Sequence, residues 1–346
     1  MAAAPTETDP FLAACAGQPV RHTPVWFMRQ AGRALPEYRA LRGDGSILES
    51  LTHPELAAEI TMQPVRRYGV DAAVVFSDIM APLWATGVGV DIVPGVGPVV
   101  EHPFRSEDDL RRLRPLVAGE DMPWAGETIA MLTEQLKVPV IGFAGGPFTL
   151  ASYLIEGRPS REHQSTKALM HAEPELWHSL LQRLVDLAVA TIEDQVAAGA
   201  AAVQIFDSWV GTLSAADYDR FVLPAVTRFF DDTRHLGVPR IHFGVGTGEL
   251  LHSMASAGAE VLGVDWRVPL PAAAERAPEA GALQGNLDPA VCLAPWPVVA
   301  REARRIISER PAGVGHVFNL GHGVLPETDP DTLARLVDLV HEETAG

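Results

Sequence analysis

Cysteine is nearly absent from this chain: Cys15 and Cys292 are the only two in 346 residues. They lie far apart and without partners at metal-ligand spacing, which excludes a disulfide scaffold and argues against a zinc site built on thiolates. Lysine is just as scarce, since of 27 basic residues only Lys137 and Lys167 are lysines. That skew carries no functional meaning by itself. The 44 acidic residues outnumber the basic ones and leave a net charge of −17. A nucleic-acid or anionic-membrane surface would want the opposite balance, so neither partner is expected. No apolar run reaches about 18 residues, and no membrane-spanning helix is expected. The first ten residues lack the basic and apolar regions of a signal peptide, so the expected location is cytoplasmic.

What the chain does have is enough apolar material for a large core, with 47% hydrophobic and 21% charged residues. Short runs rich in β-branched residues recur at Val25–Met28, Ala72–Ser77, Val138–Phe143, Ala202–Phe206, Arg240–Phe243, Val261–Val264, Ala282–Gln284 and Gly315–Asn319. Helix-period stretches separate them: Thr166–Ala198 with a break near Glu173-Pro174, Ala215–Leu236, Gly248–Ala257, Pro297–Glu309 and Pro330–Glu342. Eight strands alternating with helices predict an α/β fold, a single (β/α)8 TIM-type barrel. One interruption is longer. Residues Ala85–Val100 place two β-rich pieces around Pro94-Gly95, which predicts a hairpin inserted after the second strand. No repeat or linker divides the chain, so residues 11–346 are expected to form one domain behind a disordered N-terminus of residues 1–10.

A barrel of this type carries its working groups at the C-terminal ends of its strands. Reading past each strand gives Arg29, Asp78, Gly145-Gly146 with Tyr153 beyond, Asp207-Ser208, Asp265, Asn286, and Asn319 with His322. Strand-end polar residues also cap helices and tie down loops, and any one of these could do only that. Their gathering at one end is what points to a site. In the segment Trp26–Arg39, Arg29 and Arg33 stand four apart beside Gly32. If that stretch is helical, both guanidiniums share one face and form a fork for carboxylates or phosphates. A solvated cluster paired with Glu37 is the plainer alternative. Asp78 follows a strand of buried character, so it either stays ionised to stabilise a cation or is raised in pKa and acts as an acid. Tyr153 offers a phenol where a helix starts. Ser208 lacks the Gly-x-Ser-x-Gly elbow and reads as a hydrogen-bond donor rather than a nucleophile. His322 sits between Gly321 and Gly323, in a turn that a ligand can approach closely.

The segment Met-Arg-Gln-Ala-Gly-Arg-Ala-Leu-Pro-Glu-Tyr-Arg at 28–39 resembles the N-terminal signature of the uroporphyrinogen decarboxylase family. Gly142–Gly157, Ile205–Pro224 and Phe318–Pro326 are similar to further blocks of that family in the same order, and the resemblance spans roughly Phe11 to Glu343. Many members carry an aromatic residue where this chain has Ala34. The resemblance implies a (β/α)8 barrel, a homodimer, no metal and no organic cofactor. The implied reaction removes carbon dioxide from the four acetate side chains of uroporphyrinogen III, leaving methyl groups and giving coproporphyrinogen III. Carried over, Arg29 and Arg33 bind carboxylates, Gln30, Ala31 and Gly32 contribute to the substrate site, and Asp78 holds the pyrrole N–H groups. Tyr153, Ser208 and His322 supply the remaining substrate contacts. Arg29 and Asp78 are the catalytic candidates, Asp78 as the stabilising anion and Arg29 as the group that orients the leaving carboxylate or mediates proton delivery.

Three other readings compete. Zinc-dependent methyltransferases resemble the chain more distantly, but His242-Phe243-Gly244 puts glycine where their thiol stands. A non-catalytic tetrapyrrole carrier would show the same carboxylate clamp. A phosphate-binding barrel would use Gly321-His322-Gly323 and Asn286, and leaves the arginines unexplained. Trp209 and Val210 are the loop residues with the apolar character of a subunit interface.

Overall fold

The computed structural model describes residues 9–43 and 45–346. Among them, seven short strands form one parallel sheet: β1 (Ala73–Val74), β4 (Val140–Gly145), β5 (Ala202–Asp207), β6 (Arg240–Gly244), β7 (Val261–Gly263), β8 (Ala282–Gln284) and β9 (Gly315–Val317), hydrogen-bonded in that order. Helices connect successive strands, as parallel neighbours require. The register runs from Ala73↔Val140 through Ile141↔Ala202 and Val203↔Arg240 to Ala282↔Gly315. Strands buried on both faces read as continuous apolar runs, and β4 is buried at every residue. Pro174–Ala197 is the longest helix, starting at the proline where the sequence predicts the break. The expected Ala215–Leu236 helix is instead Ala215–Phe221 and Leu223–Asp232 followed by a short 3-10 turn, because Pro224 falls inside it and restarts the helix.

The sheet curls into a TIM-like barrel, and its interior shows it. Gln284 on β8 donates to Gln204 on β5 at 2.9 Å although two strands lie between them. Trp26 Nε1 reaches the Oε1 of the same Gln284 at 3.0 Å. These buried side chains meet only if the sheet closes on itself.

The expected first strand, Val25–Met28, is reduced to a single parallel bridge, Val25↔Phe318. Phe318 N–H donates to the Pro24 carbonyl at 2.8 Å, and Asp71 N–H donates to the Val25 carbonyl at 2.8 Å. The segment therefore lies between β9 and β1, but the chain turns away at Met28 before a ladder can extend. The expected Ala72–Ser77 strand likewise shortens to Ala73–Val74.

After β1 the chain forms a second, antiparallel pair, β2 (Val90–Val93) and β3 (Gly97–Val100), in register Val90↔Val100 to Val93↔Gly97. Gly95 turns between them at φ 75°. The antiparallel pair packs on the loop after residue 156: Val100 N–H donates to the Gly157 carbonyl at 2.9 Å, and a Cβ on Gly97 would meet Pro159 at 3.2 Å.

At the N-terminal end of the strands Asp71 clasps three segments. Its Oδ1 meets His22 Nε2 at 2.8 Å, and its Oδ2 meets His341 Nε2 at 2.7 Å and accepts from Val25 N–H at 2.7 Å. Of the expected disordered segment, residues 1–8 lie outside the described residues. Asp9 and Pro10 do not follow that expectation: Asp9 caps the helix Pro10–Cys15 by accepting from the Phe11 and Leu12 N–H groups. No helix of the described residues is long and apolar enough to cross a membrane.

Candidate active site

At the C-terminal ends of the strands lies a cavity of about 250 Å³. Arg29, Ala31, Asp78, Tyr153, Ser208 and His322 all line it. Six expected site residues, drawn from four strand ends and two following elements, thus meet in one space.

Arg29 is placed by tertiary contacts rather than by a helix. Its φ is +59°, a left-handed conformation that costs a non-glycine residue about a kcal/mol or more. Residues 29–34 form turns and bends, and the helix begins only at Pro36. The helical arrangement expected for Arg29 and Arg33 is therefore wrong. Arg33 is exposed and does not line the cavity; its carbonyl accepts from Arg39 Nη1 at 2.5 Å. The turn is held from both sides. Asn319 Oδ1 accepts from Met28 N–H at 3.2 Å, and Val324 N–H donates to the Met28 carbonyl at 2.9 Å. Gly323 leaves room for the Arg29 side chain, since a Cβ there would lie 2.5 Å from Arg29 Cδ. Gly32 is required, with a Cβ only 2.9 Å from the Arg29 carbonyl oxygen.

Gln30 does not face the cavity. It is fully buried, accepting from Phe27 N–H at 3.0 Å and donating to the Ala72 carbonyl at 3.1 Å. Its task is to fix the Arg29 turn to β1. Gly32 also stays outside the lining, and only Ala31 of the three intervening residues reaches it.

Asp78 accepts from Met80 N–H at 2.8 Å. Burial pushes its carboxyl up to about 6, against the pull of that hydrogen bond and of the Arg29 guanidinium. Arg29 and Asp78 thus sense each other without pairing, and both remain free for a ligand. Tyr153 packs edge-on against Trp209 with ring centroids 6.2 Å apart. Burial raises its phenol, with the Trp209 hydrogen bond opposing and the Asp78 charge adding to the rise. His322 is pushed down to about 4, first by burial and then by Arg29 and Arg267. Its Nδ1 accepts from Gly323 N–H at 2.6 Å, so the neutral ring carries its proton on Nε2 as a donor.

Several strand-end residues serve the scaffold instead. Asp207 is wholly buried beneath the cavity floor, where its Oδ1 accepts from Thr149 N–H at 3.1 Å and Thr149 Oγ1 at 2.8 Å. Burial pushes its carboxyl up to about 6 as well, against those two bonds. Gly146 is glycine because a Cβ would collide with the Asp207 carboxyl at 2.5 Å. Asp265 accepts from Gly246 N–H at 2.5 Å and pairs with Arg267 at 2.6 Å, and Asn286 donates to the Asp265 and Val268 carbonyls. Val210, expected as interface material, is fully buried, and Trp209 lines the cavity. Sequence inspection missed the aromatic walls Phe76, Phe143 and Phe206 and the floor residue Thr149. Phe143 and Phe206 sit near the C-terminal ends of β4 and β5, but strands buried on both faces show no alternation that would mark the inward side.

A TIM-like barrel whose mouth holds an unpaired guanidinium, a half-buried carboxyl, a phenol and a neutral imidazole carries the groups of an enzyme that performs acid–base and charge-stabilising chemistry. The model of the uroporphyrinogen decarboxylase (URO-D) family matches residues 6–343, and the chain belongs to that family. Relatives named uroporphyrinogen decarboxylase include that of Thermobifida fusca, 59% identical over 97% of this chain and 93% of its own. That of Salinispora tropica is 57% identical over 97% of this chain and 91% of its own. Among solved structures, a methyltransferase from Methanosarcina mazei shares the fold, with a TM-score of 0.79 at 22% identity over 96% of this chain and 98% of its own. A thiol ligand at position 244 has no room here: a Cβ on Gly244 would meet Thr247 Cγ2 at 2.7 Å.

Proposed function

We propose that the chain decarboxylates uroporphyrinogen III in heme biosynthesis, converting four acetate side chains to methyls and releasing carbon dioxide and coproporphyrinogen III. The observation that carries this is the shared cavity of an unpaired Arg29 and a half-buried Asp78 that makes no ion pair. Loss of carbon dioxide from a pyrrolic acetate would leave a carbanion. Protonating the adjacent ring carbon first turns the pyrrole into a cationic electron sink, and the electrons of the breaking carbon–carbon bond flow into it; the exocyclic methylene left behind takes up a proton to become the methyl, and the ring carbon gives back the proton it received. A carboxylate at the ring centre stabilises that cation and accepts hydrogen bonds from the pyrrole N–H groups. Asp78 fits that role: at pH 7 a carboxyl titrating near 6 is mostly ionised, and a cation beside it lowers its pKa further.

Arg29 faces the reacting acetate and holds its carboxylate, or relays the proton. Tyr153, Ser208 and the Nε2–H of His322 supply donors around the ring, and Ala31 its close approach. Gln30 and Gly32 contribute through the backbone turn they fix, and Arg33 from the outer rim. The barrel is completed to eight staves by Val25–Met28, and the β2–β3 pair is an insertion into the loop after β1, with Pro98 reaching the cavity. Residues 11–346 act as one domain. A homodimer in the cytoplasm, free of nucleic acid and membrane and needing no cofactor, belongs to the same reading.

The decisive assay is anaerobic incubation with reduced uroporphyrinogen III, followed by oxidation and chromatography of the porphyrins. Stepwise loss of carboxyl groups is expected. An unchanged octacarboxylate with folded protein would overturn the proposal.

A further inference from the structure

The inner cavity is small for the ligand proposed for it. Pockets that engulf a drug-sized molecule run from about 300 to 1,000 Å³, and this one holds about 250 Å³. It also carries one cation, Arg29, for a ring bearing eight carboxylates, since Arg33 lies outside it. A second cavity of about 610 Å³ adjoins it. Ser208 and Trp209 line both, so the two spaces share a wall. Arg161 and Arg267 line the outer one, together with Thr212 and the backbone of Gly246.

The two arginines are held differently. Arg267 pairs with the buried Asp265 and lies 4.0 Å from the centroid of the Trp266 ring, which fixes its position. Arg161 is exposed and, among the described residues, forms no hydrogen bond or ion pair. Its loop is nevertheless built. The β2–β3 pair braces Gly157 and Pro159. At the other end His163 is buried in a left-handed conformation, φ 49°, its ring 5.4 Å from that of Trp209. In a molecule of net charge −17, an unpaired arginine beside a cavity marks where an anion is wanted.

We infer that the outer cavity is a carboxylate subsite in which Arg161 and Arg267 hold peripheral acid groups of the macrocycle while the inner cavity holds its centre over Asp78 and the acetate that reacts. This rests on the proposed function and names residues for it. Because the four acetates react in turn, the ring must be regripped in several orientations, and a long flexible arginine suits that better than a fixed fork. The subsite holds parts of the ring remote from the reacting bond, so it contributes to binding and leaves the chemical step alone.

The test is Arg161→Gln, which removes no hydrogen bond or ion pair within the described residues, with Arg161→Lys as the charge-retaining control. The measurements are anaerobic steady-state turnover and fluorescence titration with the oxidised ring, uroporphyrin. Arg161→Gln should raise KM and the uroporphyrin Kd about tenfold, with kcat within twofold of the parent, and Arg161→Lys should recover most of the loss. Adding Arg267→Gln should deepen the defect. Parental KM and Kd in Arg161→Gln would overturn the subsite even if the parent turns over normally. If the parent binds uroporphyrin through Arg161 but does not decarboxylate uroporphyrinogen, the subsite stands and the proposed reaction falls.

Discussion

Asp78 and Asp207 are two carboxyls on neighbouring parts of one barrel mouth, both raised to about 6 by burial, yet they have opposite consequences. Asp78 lines the cavity and a bound cation can use its charge. Asp78→Asn keeps the shape and removes that charge, and kcat should fall at least a hundredfold with the circular dichroism spectrum unchanged. Nearly parental turnover would remove Asp78 from the chemistry. The ionised form is the working one, so kcat/KM should fall as pH drops through about 6, with a limb that disappears in the residual activity of Asp78→Asn. Asp207 faces no cavity, and ionising it only costs stability. The sign follows from its raised folded pKa: its neutral form is favoured in the folded protein, so stability is full below the ordinary aspartate value of 3.8 and is lost as pH rises through about 6. Asp207→Asn can still accept the Thr149 bonds and carries no charge to desolvate. It should therefore unfold later than the parent at pH 7, by on the order of 2 kcal/mol, with the advantage vanishing below pH 4. Denaturant melts at the two pH values decide it, and a stability difference independent of pH would show that burial leaves the Asp207 carboxyl at its unfolded-chain pKa.

At the scale of elements, the sheet strands and the long helix were legible because apolar runs and proline breaks act locally. Seven of the eight expected strands stand in the main sheet. The eighth, Val25–Met28, carries strand-like residues but spends its hydrogen bonds on a single bridge and on Asp71, which no pattern in the segment itself could reveal. The same holds for the turn at Arg29. The backbone just before it is held by Asn319 and Val324, nearly three hundred residues away in sequence, so a helical spacing between two arginines was the natural local expectation and the wrong one. The Asp71 clasp joins three elements in the same long-range manner. Burial acts to raise its carboxyl, but bonds to His341, His22 and Val25 outweigh it and hold the group below its ordinary value of 3.8. A lowered carboxyl stabilises the fold above the unfolded pKa and is lost as pH falls through the folded one. Asp71→Ala should thus cost roughly 3 kcal/mol at pH 7, where it leaves the Val25 N–H without its partner, and progressively less below pH 4. Because Asp71 lies at the opposite end of the strands from the cavity, kcat of the folded fraction should stay at the parental value.

Over the whole molecule two fields act on an anionic substrate. The net charge of −17 repels it at long range, while Arg29 in the inner cavity and Arg161 and Arg267 in the outer one attract it within a few ångströms. Salt screens the distant interaction first, since the Debye length is about 30 Å at 0.01 M and about 10 Å at 0.1 M. Adding salt from a very dilute buffer should therefore raise kcat/KM as the global repulsion is screened. Beyond roughly 0.1 M it should fall as the arginine contacts weaken in turn. The maximum depends on both fields being present: replacing Arg161 and Arg267 by glutamine should flatten the high-salt decline and leave the low-salt rise. A steady fall of kcat/KM from the lowest ionic strength in the parent enzyme would mean that the arginines at the mouth dominate the approach even at long range, and that the acidic surface plays no part in how the substrate arrives.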